Sequence, residues 1–255
     1  MPVADEVMAA ARKGDRASVE AVITECFPAV HRVAHALTGD PAVAGKVVRH
    51  VLRRSVDVMP RWRTGLIPEN WFFHNTLITL RRLEAPPPQP NQDLLITVGP
   101  TGHSAYGGFI RALRALPGQQ VEAFVLHYGE HLNERLLGVA MDLSTGAAGS
   151  HLAAATLALR TLAGNEYAAL VGAFGKAYAA LTPPETVVKT TAETEIRSVF
   201  WSKLLRRVVR RLLTLAILAA IGFAAWHFRE QLIKWFEMAR EWFESVRAGA
   251  TTQKS

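Results

Sequence analysis

The 255-residue sequence carries 29 Lys and Arg against 22 Asp and Glu, a formal charge of +7, and one cysteine, Cys26. A lone cysteine excludes an internal disulfide and any cysteine-cluster metal site, and it suits a reducing compartment. The positive excess is local: residues 1–200 hold 19 basic against 18 acidic side chains, residues 201–255 hold 10 against 4.

In chain order, MPVADEVMAAARKGDR lacks the apolar core of a secretory signal, so the first part of the chain is expected to be made in the cytoplasm. Residues 4–14 suit a short helix. From Ser18, the residues Val19, Val22, Ile23, Phe27, Val30, Val33 and Leu37 recur at helical spacing. Thr38-Gly39-Asp40-Pro41 ends that helix and begins another, with Asp40 as N-cap and Pro41 at the first helical position. RWRTGLIPEN reads as a loop, and Pro68 opens a third helix that closes a domain of residues 1–83. EAPPPQPNQD cannot be helical, which marks 84–104 as a proline-rich linker. A second helical domain is expected over 105–163. Within it ERLLGVAM, DLSTG and AAGSHLAAATLALRTL have the layout of a helix-turn-helix with Ser144 as N-cap. Residues 164–206 form a helical connector, with a capping-box start at Thr182-Pro183-Pro184-Glu185.

The connector leads into LLTLAILAAIGFAAW, Leu212 to Trp226, a run without charge. Arg206, Arg207, Arg210 and Arg211 crowd its N-terminal side and Trp226 stands at its far end. A cationic collar and a boundary aromatic predict a single membrane-crossing helix over 207–228, anchored in lipid by these side chains, with the preceding domains in the cytoplasm. Ala216, Ala220 and Ala224 form a ridge of small residues that could pair two such helices in a homodimer. Leu232, Trp235, Phe236, Ala239, Trp242, Phe243 and Val246 give 229–255 one apolar face, an amphipathic tail suited to a membrane surface or a partner helix. The fold class expected is all-α.

Two helical units, a proline linker and a closing helix-turn-helix resemble the extracytoplasmic-function sigma factors of bacterial RNA polymerase. The resemblance covers roughly residues 17–163 and rests on Leu37-Thr-Gly-Asp-Pro41, Trp71, Leu116-Pro117 and the frame Leu132…Ala140…Leu143-Ser144…Gly146…Ser150…Leu152. It implies that the first unit binds core polymerase, through the segment holding Lys46, Arg49, His50 and Arg53, together with the upstream promoter element. The second unit would read duplex promoter DNA, through Ser144, Thr145, Ser150 and His151. Two departures stand out. After Gly-Asp-Pro the family carries an acidic helix, whereas this chain has Lys46-Val-Val-Arg-His50. In the family the recognition helix is basic, whereas no Lys or Arg lies between Ser144 and Leu159 here.

Residues 30–90 hold nine basic side chains against four acidic, interleaved with Trp62, Trp71, Phe72 and Phe73. Arg61, Arg63, Arg81 and Arg82 with Trp71 therefore form a candidate nucleic-acid surface, because single-stranded bases stack on aromatic rings. His127-Tyr-Gly-Glu-His131 formally matches a zinc-hydrolase signature, but Gly129 and the loop after it break the helix the motif needs. No phosphate-binding loop or nucleophile elbow occurs. The sequence thus points to a non-enzymatic protein without metal or cofactor. Its expected role is a membrane-tethered regulator of transcription initiation that engages RNA polymerase core and promoter DNA. The alternative is a membrane-anchored interaction scaffold that keeps the sigma-like fold without reading DNA.

Overall fold

The computed structural model of the chain describes residues 4–83, 93–99 and 105–252; the prolines of the expected linker, at 84–92, lie outside them. The described residues are helical, with no strand among them. After α1 (Asp5–Arg12), Asp15 caps α2 (Arg16–Thr38), accepting from the Ser18 amide at 2.9 Å. Gly39, at a φ of 65°, ends α2, and its amide donates to the His35 carbonyl. Asp40 then caps α3 (Pro41–Val58), accepting from the amides of Ala42 and Val43 at 2.7 and 3.2 Å. A left-handed glycine followed by an Asp-Pro start reverses the chain in two residues. α4 follows (Pro68–Leu83).

A four-residue helix, α5 (Leu94–Thr97), forms inside the stretch that sequence reads as linker, capped by Asp93. Its Leu95 is fully buried, and the Leu94 amide donates to the Gly39 carbonyl at 3.0 Å. Then come α6 (Tyr106–Ala115), α7 (Gly118–Glu130), α8 (Glu134–Met141), α9 (Thr145–Ala163) and α10 (Tyr167–Ala180). α8 and α9 make the helix-turn-helix. Asp142 takes the left-handed conformation at the turn, and Ser144 accepts from the Ala147 amide at 3.2 Å. The long helix α11 (Glu185–His227) and α12 (Arg229–Thr252) complete the chain.

Residues 1–199 form one compact unit. Two buried clusters fill it, and two helices serve both. Val19, Val22, Ile23 and Phe27 of α2 and Phe72 of α4 join α1, α3 and the first turns of α11, where Val188, Ala192, Ile196 and Val199 are buried. Val33 and Ala36 of α2 and Phe73 and Leu77 of α4 instead face the cluster built by α5 to α10. Each of these two helices is therefore buried on more than one side, as an element at the centre of a helical unit must be.

Residues 200–255 form a second unit, comprising the rest of α11 and α12. Here the expectation of a membrane-crossing helix over 207–228 is overturned: among the described residues no helix is long and apolar enough to cross a membrane. The reason is length. The fifteen uncharged residues from Leu212 to Trp226 span about 22 Å at 1.5 Å per residue, against a hydrocarbon core of about 30 Å. Extension at the N-terminal end takes in Arg210 and Arg211, and at the other end Arg229 and Glu230. Arg206, Arg207, Arg210, Arg211 and Trp226 are exposed helix residues and not the anchors of a span.

Candidate macromolecular interface

The basic face expected of the first unit survives on α3. Lys46, Arg49 and His50 are exposed at helical spacing between the buried Val47, Val48 and Val51, so the same periodicity that builds the core presents these basic residues outward. Arg53, one turn on, is paired with Glu195 of α11, a carboxylate only 4% exposed. Arg61 and Arg63 lie exposed in the connection before α4, where the Arg63 carbonyl accepts from Arg12 at 3.3 Å.

The aromatic part of that surface turns inward. Trp62 is buried, with its ring 5.1 Å from that of the half-buried Trp71 and edge-on to Phe72 at 6.1 Å. Phe72 and Phe73 are core residues. Of this cluster, only part of Trp71 is open to a stacking base. Arg82 is exposed, but Arg81 is engaged: its guanidinium donates to both carboxylate oxygens of Glu122 on α7 and, at 3.3 Å, to the Met141 carbonyl of α8. The helix proposed to meet nucleic acid is thereby tied to the helix-turn-helix.

Two further ion pairs join distant parts of the chain. Arg114 of α6 grips Asp93 with two nitrogens, at 2.8 and 3.2 Å, and reaches the Leu37 carbonyl at the end of α2. Arg32 of α2 grips Glu130 of α7 at 2.9 Å through two nitrogens, and the Tyr178 hydroxyl donates to the same carboxylate at 2.8 Å. Burial first, and then the neighbouring Glu130 charge, raise the Tyr178 phenol well above its usual range. Beside Arg32, the rings of His31 and, one turn on, His35 stack with centroids 3.8 Å apart. Each Nδ1 faces a carbonyl, Leu181 at 2.9 Å and His31 at 2.8 Å respectively, so each Nδ1 carries the proton and donates. Burial chiefly, then the His35 ring, lowers the His31 pKa to about 4, and burial lowers that of His35.

From Thr145 to Leu159 the outward face of α9 is neutral, and its one cation, Arg160, is exposed in the last turn. Ala148, Leu152, Ala155 and Leu159 are buried; Thr145, Gly146, Ser150, Ala153, Ala154, Leu157 and Ala158 are exposed. Thr145 begins the helix and Ser150 donates back to the Gly146 carbonyl at 2.8 Å, while His151 is half-buried. A negative charge lies close by: a Cβ placed on Gly149 would stand 3.1 Å from the Glu134 carboxylate. Leu157 and Leu162 are 68% and 64% exposed. Phosphate contacts need cationic or polar donors, and this face supplies two or three hydroxyls.

The three members of the zinc-like motif are separately occupied. His127 Nδ1 donates to the Leu132 carbonyl at 2.8 Å, Glu130 serves Arg32 and Tyr178, and His131 is the left-handed cap that ends α7. Among the described residues no group of three His, Cys, Asp or Glu is placed to hold a metal ion. Sequence reasoning missed the ion pairs of Glu122, Glu130 and Asp93, because pairs across 41, 98 and 21 residues leave no local pattern. Comparison with family models, curated proteins and solved structures found no match.

Proposed function

We propose that this chain is a protein-interaction module with a sigma-like helical arrangement, working through its helix faces and not by reading promoter sequence. The observation that carries this reading is the outward face of α9. From Ser144 to Leu159 it presents no cation, and its largest exposed side chain there is Leu157. Sequence-independent DNA affinity scales with the phosphates neutralised, so a helix with this face is a weak DNA element. The same face of alanines, threonine and leucine suits a protein surface, where charge is depleted at the centre of contact.

A second reading, a regulator that engages an acidic surface of RNA polymerase core, would use a different face. Lys46 and Arg49, with His50 beside them, form an open basic face on α3, in the segment that the sigma resemblance assigns to polymerase. Its complement would be an acidic surface, whereas the family's acidic helix there meets a basic one, so this face does not suit the family's usual pose.

Photo-crosslinkers placed at Leu157 and at Arg49 of the full chain test both readings in cells, alongside gel-shift assays with duplex and single-stranded DNA. The module reading expects protein adducts at Leu157 and no DNA shift at low salt. Adducts at Arg49 to polymerase subunits would establish the second. A salt-sensitive shift, losing about a thousandfold or more between 50 and 200 mM salt as several phosphate contacts require, would overturn the module reading.

A further inference from the structure

The side chains that sequence reads as a collar form a stripe. On α11, Lys203, Arg206, Arg207, Arg210 and Arg211 stand at i, i+3, i+4, i+7 and i+8, so one side of the helix is cationic. Trp201, Leu204, Leu205, Val208, Val209 and Leu212 stand at the same spacing on the opposite side, between 44% and 66% exposed. Residues 200–212 are thus an amphipathic helix with an apolar and a basic face. The uncharged run to Trp226 continues it, with Ile217, Ile221 and Phe223 58–65% exposed. After the turn at Phe228, α12 presents Trp235, Phe236, Trp242 and Phe243, each above 60% exposed, opposite Glu237, Arg240 and Glu244.

We propose that residues 200–243 bind an anionic lipid surface, lying in the headgroup region of one leaflet without crossing it. Charge complementarity selects this occupant. From Ser198 to Arg229 the chain has six cations and no Asp or Glu, a balance that fits anionic headgroups. A second copy of the same segment would bring cations against cations, which an interface disfavours. Nucleic acid would leave the apolar side and the run to Trp226 in water. A lipid surface takes both faces at once, with arginines at the phosphates and leucine, valine and tryptophan at the acyl boundary. The run after Arg211, too short to cross, is of a length that suits a segment dipping into one leaflet.

The test is co-sedimentation of the full chain with sealed vesicles of phosphatidylcholine, with or without phosphatidylglycerol, followed by added protease. Binding is expected to favour the phosphatidylglycerol vesicles tenfold or more and to fall steeply with salt. Replacing Arg206, Arg207, Arg210 and Arg211 by Gln should lower partitioning by two to three orders of magnitude, at about fivefold for each basic side chain. A second variant, Leu204→Ser with Leu205→Ser and Val208→Ser, keeps every charge and should also lose binding. All these side chains are exposed, so helicity by circular dichroism should match the parent. The bound tail should remain open to external protease. Equal binding to both vesicle types, indifference to either variant, a protease-protected tail, or a lipid-independent oligomer that ignores vesicles would each overturn the proposal.

Discussion

The Glu130 carboxylate joins three helices, since Arg32 of α2 and Tyr178 of α10 both meet it on α7. It is about one-tenth exposed, takes both arms of Arg32, and accepts the hydroxyl of the buried Tyr178. Removing one partner from such a site leaves a buried charge, at a cost of about 3 kcal/mol. Arg32→Met is therefore expected to lower the urea midpoint strongly. Adding Glu130→Met should recover only part of the loss, because the Tyr178 hydroxyl is then left without its acceptor, at about 1–3 kcal/mol. Full recovery is expected only with Tyr178→Phe as a third change, and complete recovery in the double variant would remove Tyr178 from the account. The neighbouring His31 gives a pH dependence of defined sign. Its folded pKa is depressed from 6.5 to about 4, so the unfolded chain takes up the proton first. Its contribution is fully present above pH 6.5 and is lost as pH falls from there toward 4. His31 is only part-buried, so screening reduces the effect to about 1–2 kcal/mol. Urea titrations at several pH values should show that slope, and His31→Gln should reduce it, leaving the share that comes from the likewise depressed His35.

At the scale of elements, local chemistry was readable where it acts over three or four residues. Asp40 with Pro41, Ser144, and the Pro68 start of α4 each place a cap or a fixed φ where a helix begins, and those helices begin there. Asp40→Ala should cost about 1 kcal/mol, read as a lowered thermal midpoint. Gly138 in α8 shows a constraint of another kind. A Cβ there would stand 2.9 Å from the Leu143 carbonyl and 3.2 Å from the Thr145 amide, both backbone. The two helices of the helix-turn-helix close tightly only because that atom is missing. Gly138→Ala is expected to destabilise despite alanine's better helix propensity, while Gly146→Ala, which meets nothing within 4 Å, should be neutral or mildly stabilising. Equal effects in a denaturation assay would refute the packing argument. The misread elements share a cause. α5 is too short to show a period, and its helix is held by the buried Asp93 and Leu95. Along the chain, residues 203–211 show only a run of charge; on a helix these basic side chains separate from Leu204, Leu205 and Val208, and the uncharged run beyond them is shorter than a membrane span requires.

For the molecule as a whole, the sequence divides residues 1–163 at the proline stretch, but burial joins what lies on either side. α2 and α4 send side chains into both clusters, and the pairs Arg32–Glu130 and Arg81–Glu122, with the hydrogen bond from Arg114 to the Leu37 carbonyl, tie residues from opposite sides of that stretch. Such sharing couples the opening of one cluster to the other, and Cys26 offers a direct reading. It is the only cysteine, 2% exposed in the cluster formed with α1, α3 and α11, and burial raises its thiol pKa, so labelling requires opening. Leu113 lies fully buried in the other cluster, on α6. Leu113→Ala should cost about 3 kcal/mol through lost burial and the cavity left behind. If residues 1–199 open cooperatively, Cys26 in that variant should react with a thiol reagent about a hundredfold faster, since 1.4 kcal/mol corresponds to tenfold in the open population. An unchanged labelling rate beside a lowered global midpoint would show that the two clusters open separately, and that the shared helices do not transmit the loss.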